Sequence, residues 1–201
     1  MVRVATIILI SLILLVFFMP FFYTISPYEL NPNLILTAPS LEHLFGTDRL
    51  GRDNLARILQ GGQTSLVIGF LSAGISSFIG LFIGINAGYF KGNIDKGITI
   101  LIDLFLTFPT FFLLLALVSY IQASSLVLII VISITGWMGM ARLIRSESFA
   151  IGNRPYIKIL KLGNVPKTKI IFKYFAPLLA PIFLISFTFG VGGAILAESG
   201  L

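Results

Sequence analysis

LFLTFPTFFLLLALVSYIQASSLVLIIVISITGWMGMA, residues Leu104 to Ala141, runs for 38 residues without a single Asp, Glu, Lys or Arg. A charged side chain at the centre of a bilayer costs about 2.5 to 3.5 kcal/mol on insertion scales. About 20 apolar residues span the hydrocarbon core, so this run is long enough for nearly two crossings and has to fold back once. The polar patch Ser119, Gln122, Ser124, Ser125 is the natural turn. That reading predicts one helix over Ile98–Tyr120 and another over Leu126–Met140. Upstream, Ile58–Phe90 is also free of charge, its most apolar part being Leu66–Ala87. Val4–Ser26 is uncharged and follows Arg3, which predicts a first helix ending between Pro20 and Pro27. A cleaved signal peptide is the rival reading of that segment, but the run is long and no small-x-small cleavage site follows it closely. Tyr174–Ala197 supplies a last span, entered through Pro177 and Pro181.

Five crossings agree with the composition. Of the 201 residues, 57% are hydrophobic and 11% charged, and the mean hydropathy is +1.01. Those values put the chain in the membrane class, with lipid as a partner, and leave little room for a second domain. The sequence has no cysteine and one histidine, which rules out disulfides, thiolate metal sites and cysteine nucleophiles. The net charge of +6 has a topological origin. Arg3, Lys91, Lys96 and the eight basic residues from Arg142 to Lys173 fall on one side of the five crossings, eleven in all; only Arg49, Arg52 and Arg57 fall on the other. The positive-inside rule then puts the N-terminus and the 142–173 segment in the cytoplasm, and nucleic acid is not an expected partner.

Three features stand out within that frame. Small residues recur every fourth position in the second span: Ser72, Ser76, Gly80, Gly84, Gly88 and Gly92. On a helix they form one stripe that lets another backbone approach closely, which predicts a packing seam centred on Ser76, Gly80, Gly84 and Gly88. Ser186, Gly190 and Ala194 repeat the pattern in the last span, so the two stripes are candidates to meet each other or a partner subunit. Asp103 and Glu198 are the carboxylates inside or beside spans and count as candidate intramembrane polar sites, with snorkelling or capping as the alternative. Finally, the 32-residue segment Arg142–Lys173 holds a helix-like piece, Pro155–Leu162, then Gly163-Asn164-Val165-Pro166 and a second amphipathic piece, Lys167–Phe175. Gly or Asn ends a helix in the left-handed conformation, and Pro just beyond prevents its resumption. A helix-turn-helix outside the bilayer suits docking of a cytoplasmic partner. Lysines that hold orientation and touch anionic lipid are the alternative.

The segment after the first helix reads His43-Leu-Phe-Gly46-Thr47-Asp48-Arg-Leu-Gly51-Arg52-Asp53 and continues to Arg57, Gly61, Ser65 and Leu66. It closely resembles the H-x-F-G-T-D-x-x-G-R-D stretch of the permeases of dipeptide, oligopeptide and nickel importers, specifically the second, C-type subunit. Ala87-Gly88-Tyr89, Gly92, Asp95, Asp103 with Phe108-Pro109, Trp137, Ala141-Arg142, Arg145 and Ala197-Glu198-Ser199-Gly200-Leu201 extend the resemblance over the whole chain. It implies an all-α, polytopic permease of the ABC importer type I fold in the bacterial inner membrane. About five of the family's six helices are present, since family members continue past the position of Leu201 through a further loop and helix. The implied organisation is an N-terminal helix plus extracytoplasmic segment over 1–60 and an incomplete importer transmembrane domain over 61–201, with a coupling loop at 142–176.

The implied function is not enzymatic. No G-x-x-x-x-G-K-[ST] phosphate loop occurs, so no cofactor is expected on this chain. ATP would be bound by two partner ATPase subunits, a homologous permease subunit would line the other half of the pathway, and an extracytoplasmic solute-binding protein would deliver substrate. Peptides are the first expectation for that substrate, nickel or a nickel chelate the second. The family's E-A-A-x-x-x-G docking signature falls on Lys158-Ile159-Leu160 and Asn164, so the acid, both alanines and the glycine are replaced. Arg154, Tyr156, Lys158, Ile159, Leu160, Gly163, Asn164 and Pro166 make up the expected ATPase-docking loop. Two readings of other classes remain: an ATPase-independent channel or secondary transporter using Asp103 and Glu198, and an intramembrane serine protease, for which His43 lies outside the spans.

Overall fold

A computed structural model describes residues 2–120 and 124–201, and among these every regular element is helical. Eight α-helices follow in order: α1 Val2–Phe18, α2 Asn54–Phe90, α3 Gly92–Leu106, α4 Thr110–Tyr120, α5 Ser125–Gly152, α6 Pro155–Leu162, α7 Lys167–Ile170 and α8 Ala176–Gly200. Among the described residues, four helical runs are long and apolar enough to cross a membrane: Arg3–Phe21, Asn54–Phe90, Ser125–Gly152 and Lys167–Gly200. The chain divides into two compact units, residues 1–67 and 68–201.

In the first unit, α1 ends one residue before a short 3-10 turn, Met19–Phe21, at the predicted proline. Gln63 Nε2 donates to the carbonyl of Val16 at 3.0 Å, so the start of α2 is tied to the end of α1. A Cβ on Gly62 would lie 3.2 Å from a Val16 methyl, so α1 and α2 are closely packed there.

The second unit is a bundle built around α5. Its buried clusters take Ile68, Leu114, Val131, Ile132 and Ala194 from α2, α4, α5 and α8, then Ile102, Trp137, Met138 and Ala141 from α3 and α5. A third cluster joins α2, α5 and α8 to the short elements through Tyr89, Ile144, Ile157, Ile170 and Phe175. Outside the bundle the surface is apolar: Phe78, Phe82, Ile134, Phe189 and Leu196 are exposed. Exposed aromatic and aliphatic side chains on spanning helices are what lipid solvates.

The structure differs from the sequence reading at three places. The third span is not one helix over Ile98–Tyr120: it is α3 and α4, broken at Thr107–Pro109. Pro109 has no N–H to donate and disfavours the helical region for Phe108, which ends the helix one turn after Asp103. Neither half reaches the length of a crossing by itself. The fourth helix continues beyond Met140 through Arg142–Gly152, so a third of the expected loop is span. The second amphipathic piece is not separate either, because Lys167–Ile170 runs through a π-helical turn, Ile171–Phe175, directly into α8. Of the expected turn, Gln122 lies outside the described residues; Ser119 is in α4, Ser125 opens α5, and Ser124 caps it by accepting from Val127 N at 3.3 Å.

Candidate functional site

The small-residue stripe of α2 packs on α5, a partner that sequence reasoning did not single out. A Cβ built on Gly80 would sit 2.8 Å from the Trp137 carbonyl, one on Gly84 2.7 Å from the Ala141 carbonyl, and one on Gly88 2.8 Å from the Arg145 carbonyl. Each step of four on α2 is matched by a step of four on α5, which makes the two helices parallel and in register. Lower down, Ser72 Oγ donates to the Ile129 carbonyl and Ser133 Oγ to the Ser72 carbonyl, both at 3.4 Å. Gly92 is not part of the seam: nothing lies within 4 Å of a Cβ there, and with φ +61° it turns the chain into α3 instead. The stripe on α8 faces α2 on another row, where a Cβ on Gly190 would lie 3.5 Å from Ala73.

The polar residues of α3 are paired with α5. Asp103 accepts from Arg142 Nη2 at 2.5 Å, with both side chains about half exposed (55% and 56%). Eight residues earlier, Asp95 takes Arg145 bidentately at 2.5 and 2.8 Å. Sequence reasoning named all four residues without pairing them; the signal available was the match of two acids on one helix with two arginines on the other. Glu198 lies half-buried in the last turn of α8.

The helix-turn-helix is built on the ends of α2 and α5. Pro155 at the first position suits α6, because a helix's first N–H has no intrahelical partner. Ile157 and Ile170 are fully buried, the first on α6 and the second on α7. Lys161 Nζ donates to the Tyr89 carbonyl at 3.2 Å and lies 3.9 Å above the Tyr89 ring. Burial, helped by the nearby charge of Lys91, pushes the Lys161 ammonium below its ordinary range. Lys91 Nζ donates to Asn153 Oδ1 at 2.6 Å. The turn ends α6 as a Schellman motif: Val165 N donates to the Leu160 carbonyl and Asn164 N to that of Lys161, at 3.1 and 3.3 Å. Asn164 takes the left-handed conformation with φ +55°, whereas Gly163 has φ −75°. Asn164 is thus the left-handed residue that ends α6. On the opposite side of α6 from Ile157, Tyr156, Ile159 and Leu162 are 41%, 68% and 84% exposed.

In the first unit, the His43–Asp53 segment is a folded loop in which each signature residue has a local task. Asp53 is buried and caps α2, its Oδ1 accepting from Ala56 N at 2.7 Å. Its Oδ2 takes Tyr23 Oη at 2.6 Å and meets His43 Nδ1 at 2.9 Å. Burial works against ionising Asp53, but the hydrogen bonds from Tyr23, Ala56 and His43 hold its carboxyl below the usual range. Burial, and after it the bond to Asp53, pushes the Tyr23 phenol up to about 12. Asp48 gathers Leu50 N, Arg52 N and Arg52 Nε at 2.8 to 3.0 Å, and Arg57 Nη1 at 2.6 Å. Desolvation again opposes these donors, which win and bring the carboxyl down to about 2. Thr47 donates to the Leu34 carbonyl and accepts from Thr37 N. Gly46 and Gly51 have φ +65° and +74°, and a Cβ on either would run into a backbone carbonyl. His43 therefore belongs to a structural hydrogen-bond cluster.

Spans packed backbone to backbone, charges paired between helices and a helix-turn-helix seated on the helix ends define a polytopic helical membrane protein. Comparison with known proteins specifies it. A family model described as "binding-protein-dependent transport system inner membrane component" matches residues 80–201. The chain belongs to that family. Over 199 residues it is 36% identical to the dipeptide transport system permease protein DppC of Alkalihalophilus pseudofirmus, covering 98% of this chain and 65% of the relative. Over 197 residues it is 31% identical to the oligopeptide transport system permease protein OppC of Haemophilus influenzae, covering 97% and 63%. The OppC of Mycobacterium tuberculosis is 33% identical over 175 residues, 86% and 60%. The chain thus spans just under two thirds of the length of these relatives.

Proposed function

We propose that this chain is a transmembrane subunit of an ATP-driven, binding-protein-dependent importer of di- or oligopeptides, with α6 as the element through which ATP hydrolysis on partner subunits reaches the membrane. The observation that carries this is α6 itself: an eight-residue helix joined directly to α5 on one side and to the α7–α8 run on the other. Its apolar stripe Tyr156, Ile159, Leu162 points away from the bundle. A push on α6 is transmitted to two spans through buried Ile157, Ile170 and Phe175. A self-contained channel has no need of such an outward face. The peptide reading is supported by relatives named for dipeptide and oligopeptide transport, whereas nothing observed favours nickel. A homologous permease subunit, two ATPases and an extracytoplasmic binding protein complete the assembly. The N-terminus is cytoplasmic in this reading.

Reconstitution tests it. With its partners in proteoliposomes, the permease should take up labelled peptide only when ATP and the binding protein are both supplied, and Ile159→Asp should abolish uptake. Uptake driven by a peptide gradient without ATP would sink the importer reading in favour of a channel or secondary transporter.

A further inference from the structure

The outward face of α6 carries charge of one sign. From Glu147 to Glu198 the sequence has no carboxylate, while Arg154, Lys158, Lys161, Lys167, Lys169 and Lys173 all fall between them. At 100° per residue, Tyr156, Ile159 and Leu162 lie in an arc centred opposite Ile157 and Lys158 borders it beside Leu162, while Arg154, the N-cap residue, is exposed beside Tyr156. Among the described residues no carboxylate pairs with Arg154 or Lys158; the contact of the Arg154 guanidinium is the Tyr156 hydroxyl at 3.4 Å. Lys161 is on the inner side, held by Tyr89.

We propose that this face docks in a groove of the ATPase partner that has an apolar floor for Tyr156, Ile159 and Leu162 and a rim of Asp or Glu side chains that pair with Arg154 and Lys158. The inference rests on the importer reading above and specifies the partner surface. Covering the stripe takes the two flanking cations partly out of water, which is unfavourable against a neutral or basic rim and favourable against carboxylates. An anionic lipid surface is the competing occupant. Geometry disfavours it, because Ile157 points into the core cluster at the helix ends and the stripe points the other way, away from the bundle that the bilayer surrounds.

The test is binding of the ATPase subunits to the tagged permease assembly in nanodiscs, as a function of salt. Wild-type binding should weaken as salt rises, and Arg154→Glu with Lys158→Glu should weaken it at low salt by about tenfold or more, while Lys158→Arg binds normally. Unchanged melting temperatures establish that the variants fold, and the salt dependence of the wild type needs no variant. Ile159→Asp separates the two levels of the argument. If it binds like wild type, the docking reading fails and the acidic rim with it. If it releases the ATPase while the double charge reversal and salt have no effect, docking stands and the acidic rim is overturned. Repeating the measurement in discs of phosphatidylcholine alone and with phosphatidylglycerol identifies the occupant: an effect of charge reversal confined to the anionic discs would make it lipid and overturn the proposal.

Discussion

At Asn164 a single backbone angle decides whether α6 stops in the right place. Its φ of +55° is one that L-residues with a Cβ visit at a cost of about 1 to 2 kcal/mol, least for Asn and Asp and most for β-branched residues. Asn164→Gly should therefore keep or slightly raise stability, and Asn164→Val should lose about 1 to 2 kcal/mol and lower uptake more than ATPase activity, both measured in the same proteoliposomes. Normal coupling in Asn164→Val would show that the turn can be rebuilt without the left-handed residue. Asp48 makes a second case. Its carboxyl is held at about 2, below the ordinary value of 3.8, so the folded loop binds fewer protons than the unfolded one. The contribution is therefore present above about pH 4 and lost as pH falls toward about 2. Protease resistance of the 23–57 segment should decline over that acid window in the wild type, and be weakened already at neutral pH in Asp48→Asn.

At the scale of elements, the glycine seam gives a sharp expectation. The three nearest atoms to a Cβ on Gly84 lie at 2.7 to 2.9 Å, and two of them are backbone atoms of α5 that cannot turn aside. Gly84→Ala should therefore destabilise by about 1 to 3 kcal/mol in a detergent melt. Gly97→Ala, where nothing lies within 4 Å, should be neutral or stabilising. Equal effects at the two sites would mean that helix propensity, not contact, sets the cost. The seam was legible in sequence because a period of four is a local property of one helix; that its partner is α5 was not, since any span could have accepted it. The α6 limits and its Asn turn were legible for the same local reason. The Asp95–Arg145 and Asp103–Arg142 pairs were not, because they join residues 50 and 39 apart across two helices. The break at Pro109 carried its own signal, yet hydropathy alone runs straight through it.

For the molecule as a whole, orientation is the property on which every functional argument depends. The helix α2 has 37 residues and is continuous, about 55 Å long and apolar, enough to cross a hydrocarbon core of about 30 Å. In the proposed topology eleven of the 14 basic residues, Arg3 among them, fall on one side, and cytoplasmic retention of Lys and Arg makes that side the cytoplasm. Cysteines at Glu42 and Lys169, both exposed, should therefore react with a membrane-impermeant maleimide from opposite faces, and one at Arg3 should follow Lys169. Lys161 is unsuitable as a reporter, because it is half-buried over Tyr89 and its loss would disturb the element whose side is being read. In right-side-out vesicles the expected labelling is at Glu42→Cys alone, and in inverted vesicles at Lys169→Cys and Arg3→Cys. Labelling of Lys169→Cys from outside would place α6 beyond the reach of any ATP-hydrolysing partner and remove the coupling role together with the topology.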